Sequence, residues 1–183
     1  MNIQLRKKQR QAILTSARIV ILNNPESKVK AQEIAKGANI ARTSLYEHFT
    51  SINELKRELL ISELVDFRAE IRERLSNLTQ SSEIVKEWIT LNLSYFLNGR
   101  HALVCALMPS AVEPYWRAEI KNEHTKLYEE LRLSLSSAGY ELSPVHFELI
   151  TAVLETAAKR IESSSTPEQV KLETINFISK ALA

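Results

Sequence analysis

Apolar residues recur every three or four positions along most of this chain, the spacing that places them on one face of an α-helix. In the first segment, Ile13, Ala17, Val20 and Ile21 share such a face. Similar stripes follow, separated by short polar, glycine or proline breaks. The pattern predicts about nine helices, at about residues 6–23, 31–38, 42–48, 52–78, 82–98, 101–108, 114–138, 144–162 and 167–183.

Several predicted helix ends carry local signals. Pro25 and Pro109 are expected to end the first and sixth helices, because the residue before a proline is pushed out of the helical region. Ser51 and Glu54 have the spacing of a capping box at the start of the fourth helix. Asn39 falls where a tight turn needs a left-handed residue, a conformation that Asn tolerates better than most residues.

The composition favours an all-α fold, because the 183 residues include only three glycines, fewer than hairpins usually need. The single cysteine, Cys105, excludes an intramolecular disulfide and a cysteine-rich metal site, and we expect neither metal nor cofactor. The first residues are basic with no apolar run behind them, which argues against a secretory signal. No segment approaches the roughly 18 apolar residues of a membrane span, so we expect a cytoplasmic protein.

Charge is distributed unevenly between the two parts of the chain. Residues 1–60 hold 11 Lys or Arg and 5 Asp or Glu, whereas residues 61–183 hold 13 and 17. A basic first third suggests a polyanion partner for that third. A charged, solvated surface is the alternative, and charge alone does not choose between them.

The second and third predicted helices, joined at Asn39, have the dimensions of a helix-turn-helix, whose second helix enters the DNA major groove. Arg42 can pair with guanine, and Thr43 can offer its hydroxyl or methyl group to a base. Tyr46 and His48 are expected to donate to phosphate, and Arg10 is a further candidate for a phosphate contact. The predicted DNA contacts are Lys30, Arg42, Thr43, Ser44, Tyr46 and His48.

Residues 10–59 resemble the DNA-binding domain of the TetR family. The chain has Ile-Leu at 13–14 and Ile-Ala at 34–35, where the family pattern has the same pairs. The most specific element, Leu-Tyr-x-His-Phe, is present at residues 45–49, and a Ser-x-x-x-Leu pattern follows at 51–55. The resemblance implies a transcriptional regulator whose third helix contacts the operator through the residues at Arg42 and its neighbours.

Three residues depart from the family pattern. Asn39 replaces the usual turn glycine, Ala41 replaces an N-cap serine, and Ile52 replaces a lysine expected to contact phosphate. Loss of the cap is expected to cost the third helix about 1 kcal/mol. These departures motivate an alternative function, a co-activator or adaptor of the same fold that does not contact DNA.

The resemblance also implies a division of the chain into a helix-turn-helix domain at 1–50 and a helical ligand-binding and dimerisation domain at 51–183. A homodimer through the eighth and ninth helices would allow two short helices to recognise a palindromic operator. The alternative for their apolar faces is packing on the fifth helix. The predicted interface residues are Leu149, Ile150, Val153, Leu154, Ala157, Ala158, Ile161, Ile175 and Ile178.

The resemblance implies that the fourth to seventh helices sense a ligand. Our leading hypothesis is therefore a repressor that responds to a small, mostly apolar molecule. The predicted pocket residues are Phe67, Trp88, Tyr95, His101, Cys105, Met108, Trp116 and His124. Ordinary core packing is the alternative for each of them.

The sequence contains no catalytic triad, glycine-rich phosphate loop or paired-carboxylate motif, so we predict no enzyme activity.

Overall fold

The computed structural model describes residues 3–23, 29–108 and 114–181. In these residues the chain forms nine α-helices and no strand, which confirms the predicted all-α class. The stop signals at Pro25 and Pro109 lie outside the described residues. The helices are α1 (Ile3–Asn23), α2 (Ala31–Gly37), α3 (Arg42–His48), α4 (Ile52–Leu75), α5 (Ser81–Leu97), α6 (Arg100–Leu107), α7 (Pro114–Ser137), α8 (Pro144–Ser163) and α9 (Pro167–Ala181).

The chain forms two compact units. The first comprises residues 1–63 and 102–120, and the second comprises residues 64–101 and 121–183. The first unit extends beyond the helix-turn-helix because side chains from α4 and α6 join its core. The boundary predicted after residue 50 therefore does not coincide with a boundary between the two compact units. The functional division at that residue stays a prediction.

The core of the first unit is built from the apolar stripes seen in the sequence. Ile13, Ala17 and Ile21 of α1 are buried, as their spacing predicts. The same cluster includes Leu45 of α3 and Phe49, the residue that follows α3. The remaining buried members are Leu14, Ile34, Ala35, Leu55, Leu59, Leu60, Leu103 and Leu107.

A close contact joins α1 to α2. The buried Ser16 hydroxyl donates a hydrogen bond to the Ile34 carbonyl at 2.8 Å. A Cβ atom at Gly37 would lie only 2.3 Å from Ser16 Oγ, so no larger residue fits there without movement. Small residues at both positions therefore set the distance between these two helices.

The second unit is centred on α5, which is apolar around most of its circumference. Its buried side chains include Trp88, Ile89 and Leu93, each with no exposed surface. Both α8 and α9 pack against α5 and against each other. Among the described residues, no helix is long and apolar enough to cross a membrane.

Candidate nucleic-acid interface

The turn between α2 and α3 has the conformation that the sequence predicts. Asn39 adopts a φ of 54°, the left-handed region. The Ile40 amide donates to the Ala35 carbonyl at 3.0 Å, and the Ala38 amide donates to the Ile34 carbonyl at 3.0 Å. These bonds satisfy carbonyls at the end of α2 and direct the chain into α3.

The third helix, α3, begins without a side-chain cap. The methyl side chain of its N-cap residue, Ala41, cannot accept a hydrogen bond from the free amides of the first turn, as predicted. The helix nevertheless forms over seven residues, with Leu45 buried in the core. Tertiary packing therefore holds a helix that is too short to be stable alone.

Four side chains of α3 are exposed, and all of them except the Glu47 carboxylate carry hydrogen-bond donors. Arg42, Thr43 and Tyr46 are exposed, with 42% of the Tyr46 surface accessible. We call these three residues the α3 face. Ser44 is half-buried, and Lys30, just before α2, is exposed and lies 3.3 Å from Glu33. The accessible groups comprise a guanidinium, two hydroxyls and an ammonium, all of which donate hydrogen bonds to base or phosphate oxygens.

His48 differs from the other predicted DNA contacts because it is only 6% exposed. It lies three residues after Leu45, so the helical period places it on the inward side of α3. Burial lowers the His48 pKa, and the positive charges of Arg6 and Arg10 lower it further. The burial and the lowered pKa correct our expectation that His48 donates to phosphate, since little of the ring is accessible and its charged form is disfavoured.

Arg10 and Ile52 also differ from the sequence expectations. Arg10 forms an ion pair with Glu58 and is therefore not a free phosphate-binding cation. Ile52, which stands where the family pattern has a lysine, is half-buried and packs against the core of the first unit. The exposed basic residues near the start of α1 are Arg6, Lys7 and Lys8.

The start of α4 carries a variant of the predicted capping box. Ser51 Oγ accepts from the Glu54 amide at 3.0 Å, as the pattern requires. The Glu54 carboxylate instead accepts from the amide and hydroxyl of Thr50, at 2.5 and 2.6 Å. These bonds lower the Glu54 pKa, so the carboxylate is ionised and fixes the chain between α3 and α4.

The predicted ligand-pocket residues fall into a buried group and an accessible group. Phe67, Trp88, Tyr95 and Trp116 are buried, and the Phe67 and Tyr95 ring centroids lie 4.3 Å apart. Side chains with so little accessible surface do not border an open cavity in this conformation. His101 is half-buried, and the accessible ones are Cys105, Met108 and His124.

Two histidines of this set lie in the second unit. His101 Nδ1 is 2.8 Å from Glu162 Oε1. The His124 pKa is lowered because surrounding protein atoms disfavour its charged form, and His101 adds repulsion. Among the described residues, no group of three or more His, Cys, Asp or Glu side chains is placed to hold a metal ion.

An open cavity of about 350 Å³ lies elsewhere in the second unit, beside α7 and the start of α8. The Tyr128 and Phe147 rings form one wall and meet edge to face at a centroid distance of 4.7 Å. Burial raises the Tyr128 pKa, so its phenol stays protonated. The other lining residues are Thr125, Glu129, Arg132, Leu142 and Pro144.

The predicted dimer interface separates into two faces. Seven of its residues are already buried within the protomer, which supports the alternative that these side chains pack inside one chain. Leu149 is 60% exposed and Val153 is half-buried. The seven buried residues are Ile150, Leu154, Ala157, Ala158, Ile161, Ile175 and Ile178.

An apolar surface remains on the other side of α8 and α9. Leu149, Val153 and Phe177 line two grooves of about 470 and 270 Å³, and Ala152 also lines the larger one. We call these four residues the α8–α9 face. Phe177 is 62% exposed and was missed in the sequence. The apolar residues of α8 extend around more of the helix than packing within the protomer requires, a signal that would have indicated a second apolar surface.

Comparison with known proteins agrees with this geometry. Residues 13–59 match the family described as bacterial regulatory proteins, tetR family. No curated protein matches the chain. The fold is similar to that of the transcriptional regulator FadR from Bacillus subtilis, solved in complex with stearoyl-CoA, with a TM-score of 0.71 and 14% identity. That match covers 92% of this chain and 97% of that one.

Two further structures show the same fold. The fatty acid degradation regulator FadR from Bacillus halodurans has a TM-score of 0.68 and 18% identity, over 91% of this chain and 94% of that one. A TetR-family transcriptional regulator from Agrobacterium tumefaciens has a TM-score of 0.70 and 18% identity, over 93% and 97%. At such identities the likeness shows the fold.

The fold, the exposed α3 and the match at residues 13–59 define a helix-turn-helix domain of the kind found in bacterial regulatory proteins. The match shows a TetR-family DNA-binding domain at residues 13–59, and the fold of the chain is the one found in structures of TetR-family regulators.

Proposed function

We propose that this chain is a repressor that binds a palindromic operator as a homodimer and responds to a small, mostly apolar ligand. The observation that carries the DNA-binding part is the α3 face, on which Arg42, Thr43 and Tyr46 are exposed together on a helix anchored by Leu45 and Phe49. Arg42, at the first position of the helix, is suited to pair with a guanine edge. The basic start of α1 adds charge that attracts phosphates.

The homodimer is supported by the α8–α9 face. Leu149 and Phe177 are large apolar residues exposed in one protomer, and exposed apolar patches mark contact surfaces. A second copy presenting the same face would cover both in a two-fold interface. Two-fold symmetry in the protein in turn requires a palindromic operator, so these two parts of the proposal depend on one another.

DNA binding is tested by selection from a random-sequence duplex library with the wild-type protein. We expect one enriched sequence, bound at least about a thousandfold more tightly than a scrambled duplex at physiological salt. Its affinity should fall steeply with salt, because phosphate contacts release counterions. Failure to enrich any duplex, or an affinity independent of salt, would overturn the proposal.

The effector part of the proposal rests on the cavity beside Tyr128 and Phe147, because ligand sites are usually preformed, apolar and of about 300 to 1,000 Å³. FadR from Bacillus subtilis, a protein of this fold, was solved with stearoyl-CoA, a ligand with a long apolar chain. We extend that ligand class to this chain as the first candidate. Free coenzyme A, which lacks the acyl chain, is the matched control ligand.

Calorimetric titration tests this site. Thr125→Trp would fill the cavity from an exposed position on α7, whereas Leu133→Trp places the same group on that helix outside the cavity lining. We expect stearoyl-CoA to bind the wild type and Leu133→Trp but not Thr125→Trp, and coenzyme A to bind none of them. Equal binding of stearoyl-CoA to both variants would exclude this cavity as the effector site.

The adaptor alternative was motivated by Ala41 and Ile52. The α3 helix forms without the cap, and Ile52 has a packing role in the first unit, so neither departure removes the α3 face. We therefore favour direct DNA binding. We also propose a cytoplasmic location, because that is where a bacterial operator lies.

A further inference from the structure

Arg10 of α1 makes contacts with both α3 and α4. Its Nε atom donates to Glu58 Oε1 at 2.7 Å, and Nη2 donates to Glu58 Oε2, which completes a two-point ion pair. Its Nη1 atom donates to the main-chain carbonyl of His48, the last residue of α3. The guanidinium carbon also lies 4.1 Å from the centroid of the Phe49 ring.

These contacts act on the weakest part of the helix-turn-helix. The carbonyls in the last turn of a helix have no partner within that helix. Because α3 has seven residues and no side-chain N-cap, few bonds of its own fix its position. A donor to the His48 carbonyl therefore satisfies one of those carbonyls and ties the end of α3 to α1 and α4.

The same contacts leave Arg10 poorly suited to bind phosphate. Three of its donor atoms already have acceptors, and only 33% of its side-chain surface is accessible. The arrangement uses the fork geometry of arginine, which pairs with a carboxylate at two points while a further donor reaches a carbonyl. Lysine, with a single ammonium group, cannot make this set of bonds.

We propose that Arg10 and Glu58 form a positioning pair that sets the orientation of α3 for operator recognition, without contacting DNA. The proposal rests on the proposed function, because orientation matters only if α3 binds DNA. It assigns an acidic residue, Glu58, a favourable role in binding a polyanion, which is the opposite of what its charge alone predicts.

The two explanations predict opposite changes in DNA affinity when Glu58 is neutralised, and this difference provides the test. Glu58→Gln removes a negative charge from the basic unit, so electrostatics alone predicts tighter binding. Loss of the positioning pair predicts that the enriched duplex binds about tenfold more weakly, the scale expected for breaking a coupled, charge-assisted contact. Glu47→Gln is the matched control, since it removes an exposed carboxylate from α3 itself and should leave affinity unchanged or higher.

Substitution of Arg10 separates positioning from phosphate contact. We expect Arg10→Lys and Arg10→Ala to weaken binding of the enriched duplex by similar factors, with the salt dependence of the affinity unchanged. A direct phosphate contact would be restored by Lys, and its loss would lower the salt slope by about 1. The double variant Arg10→Ala with Glu58→Gln should bind no more weakly than either single variant, because both remove one contact.

Binding is measured at a temperature at which circular dichroism shows every variant folded, so that loss of structure does not contribute. Tighter binding by Glu58→Gln, or recovery of wild-type affinity by Arg10→Lys with the loss confined to Arg10→Ala, would overturn the positioning pair while the proposed function stands. If the wild type enriches no duplex, the proposed function fails, and the role of the pair in recognition fails with it.

Discussion

The α3 face and the α8–α9 face are both exposed, but they differ in chemistry. The α3 face offers hydrogen-bond donors, Arg42, Thr43 and Tyr46, on a short helix anchored through Leu45. The α8–α9 face offers apolar carbon, chiefly Leu149 and Phe177, on helices whose opposite sides are buried. Hydrogen-bond donors suit a polyanion, and apolar groups suit another protein surface. The two exposed faces are therefore expected to bind different kinds of partner.

Neighbouring residues of α8 provide the largest test of this comparison. Ile150→Ala should lower the free energy of unfolding by about 2 to 5 kcal/mol, because Ile150 is buried and a cavity is left behind. Leu149→Ala should change protomer stability by less than about 0.5 kcal/mol and instead favour the monomer.

Denaturant unfolding at several protein concentrations, with analytical ultracentrifugation, measures both effects. The contrary result is that Leu149→Ala leaves the dimer intact while Ile150→Ala dissociates it without lowering protomer stability. Ile150 would then lie in the dimer interface and Leu149 would not.

On the α3 face, Arg42→Ala should weaken binding of the enriched duplex by about 1 to 3 kcal/mol, the value of one good contact to a base. Lys36→Ala, an exposed cation on α2, is the matched control and should lose less, equally for all sequences. Fluorescence anisotropy with the enriched and scrambled duplexes measures the difference. Equal losses on both duplexes would mean that Arg42 contacts phosphate rather than a base.

The contact between α1 and α2 should also be sensitive to substitution. Gly37→Ala is expected to lower the free energy of unfolding by about 1 to 3 kcal/mol, because the new Cβ overlaps Ser16 Oγ. Adding Ser16→Ala removes that oxygen and should recover part of the loss, since Ser16 Cβ would be 3.3 Å away. Thermal unfolding of both single variants and the double variant tests this, and strictly additive losses would argue against the overlap.

A gain of function is expected at Ala41. Ala41→Ser supplies the missing cap and should stabilise the first unit by about 1 kcal/mol. Because α3 is then better ordered before binding, affinity for the enriched duplex should rise modestly. Ala41→Val, which has no hydroxyl and is as poor an N-cap residue as alanine, is the control, and a similar gain from both would show that capping is not the cause.

The smallest expected effect is a pH dependence from His48. Its pKa is lowered on folding, so near pH 6 the unfolded chain binds more protons than the folded chain. Its contribution is complete above the unfolded pKa of about 6.5 and is lost as pH falls towards the folded pKa. His48→Gln should therefore flatten the fall in stability between pH 7.5 and 5.5, and an unchanged pH profile would contradict this.

The sequence predicted those features that depend on neighbours in the chain. The helix order, the left-handed Asn39 and the absent cap at Ala41 follow from local signals. The inward position of His48 was also within reach, since it follows Leu45 by three residues.

Other features depend on residues far apart in the chain. Glu58 is 48 positions from Arg10, and nothing in the spacing of charges indicates that they pair. Periodicity shows that α8 is apolar over a wide arc, but not which part packs on α5. The aromatic residues expected to line a pocket proved to be core, because a large apolar side chain suits either place equally well.

The most direct test of the account is the symmetry of the sequence that the wild-type protein selects, compared with that selected by Arg42→Ala. The account predicts two inverted half-sites whose centres are about one DNA turn, or a whole number of turns, apart. It also predicts that Arg42→Ala relaxes the preference at the same base pair in both halves. A selected sequence without two-fold symmetry, or one that Arg42→Ala leaves unchanged, would contradict it.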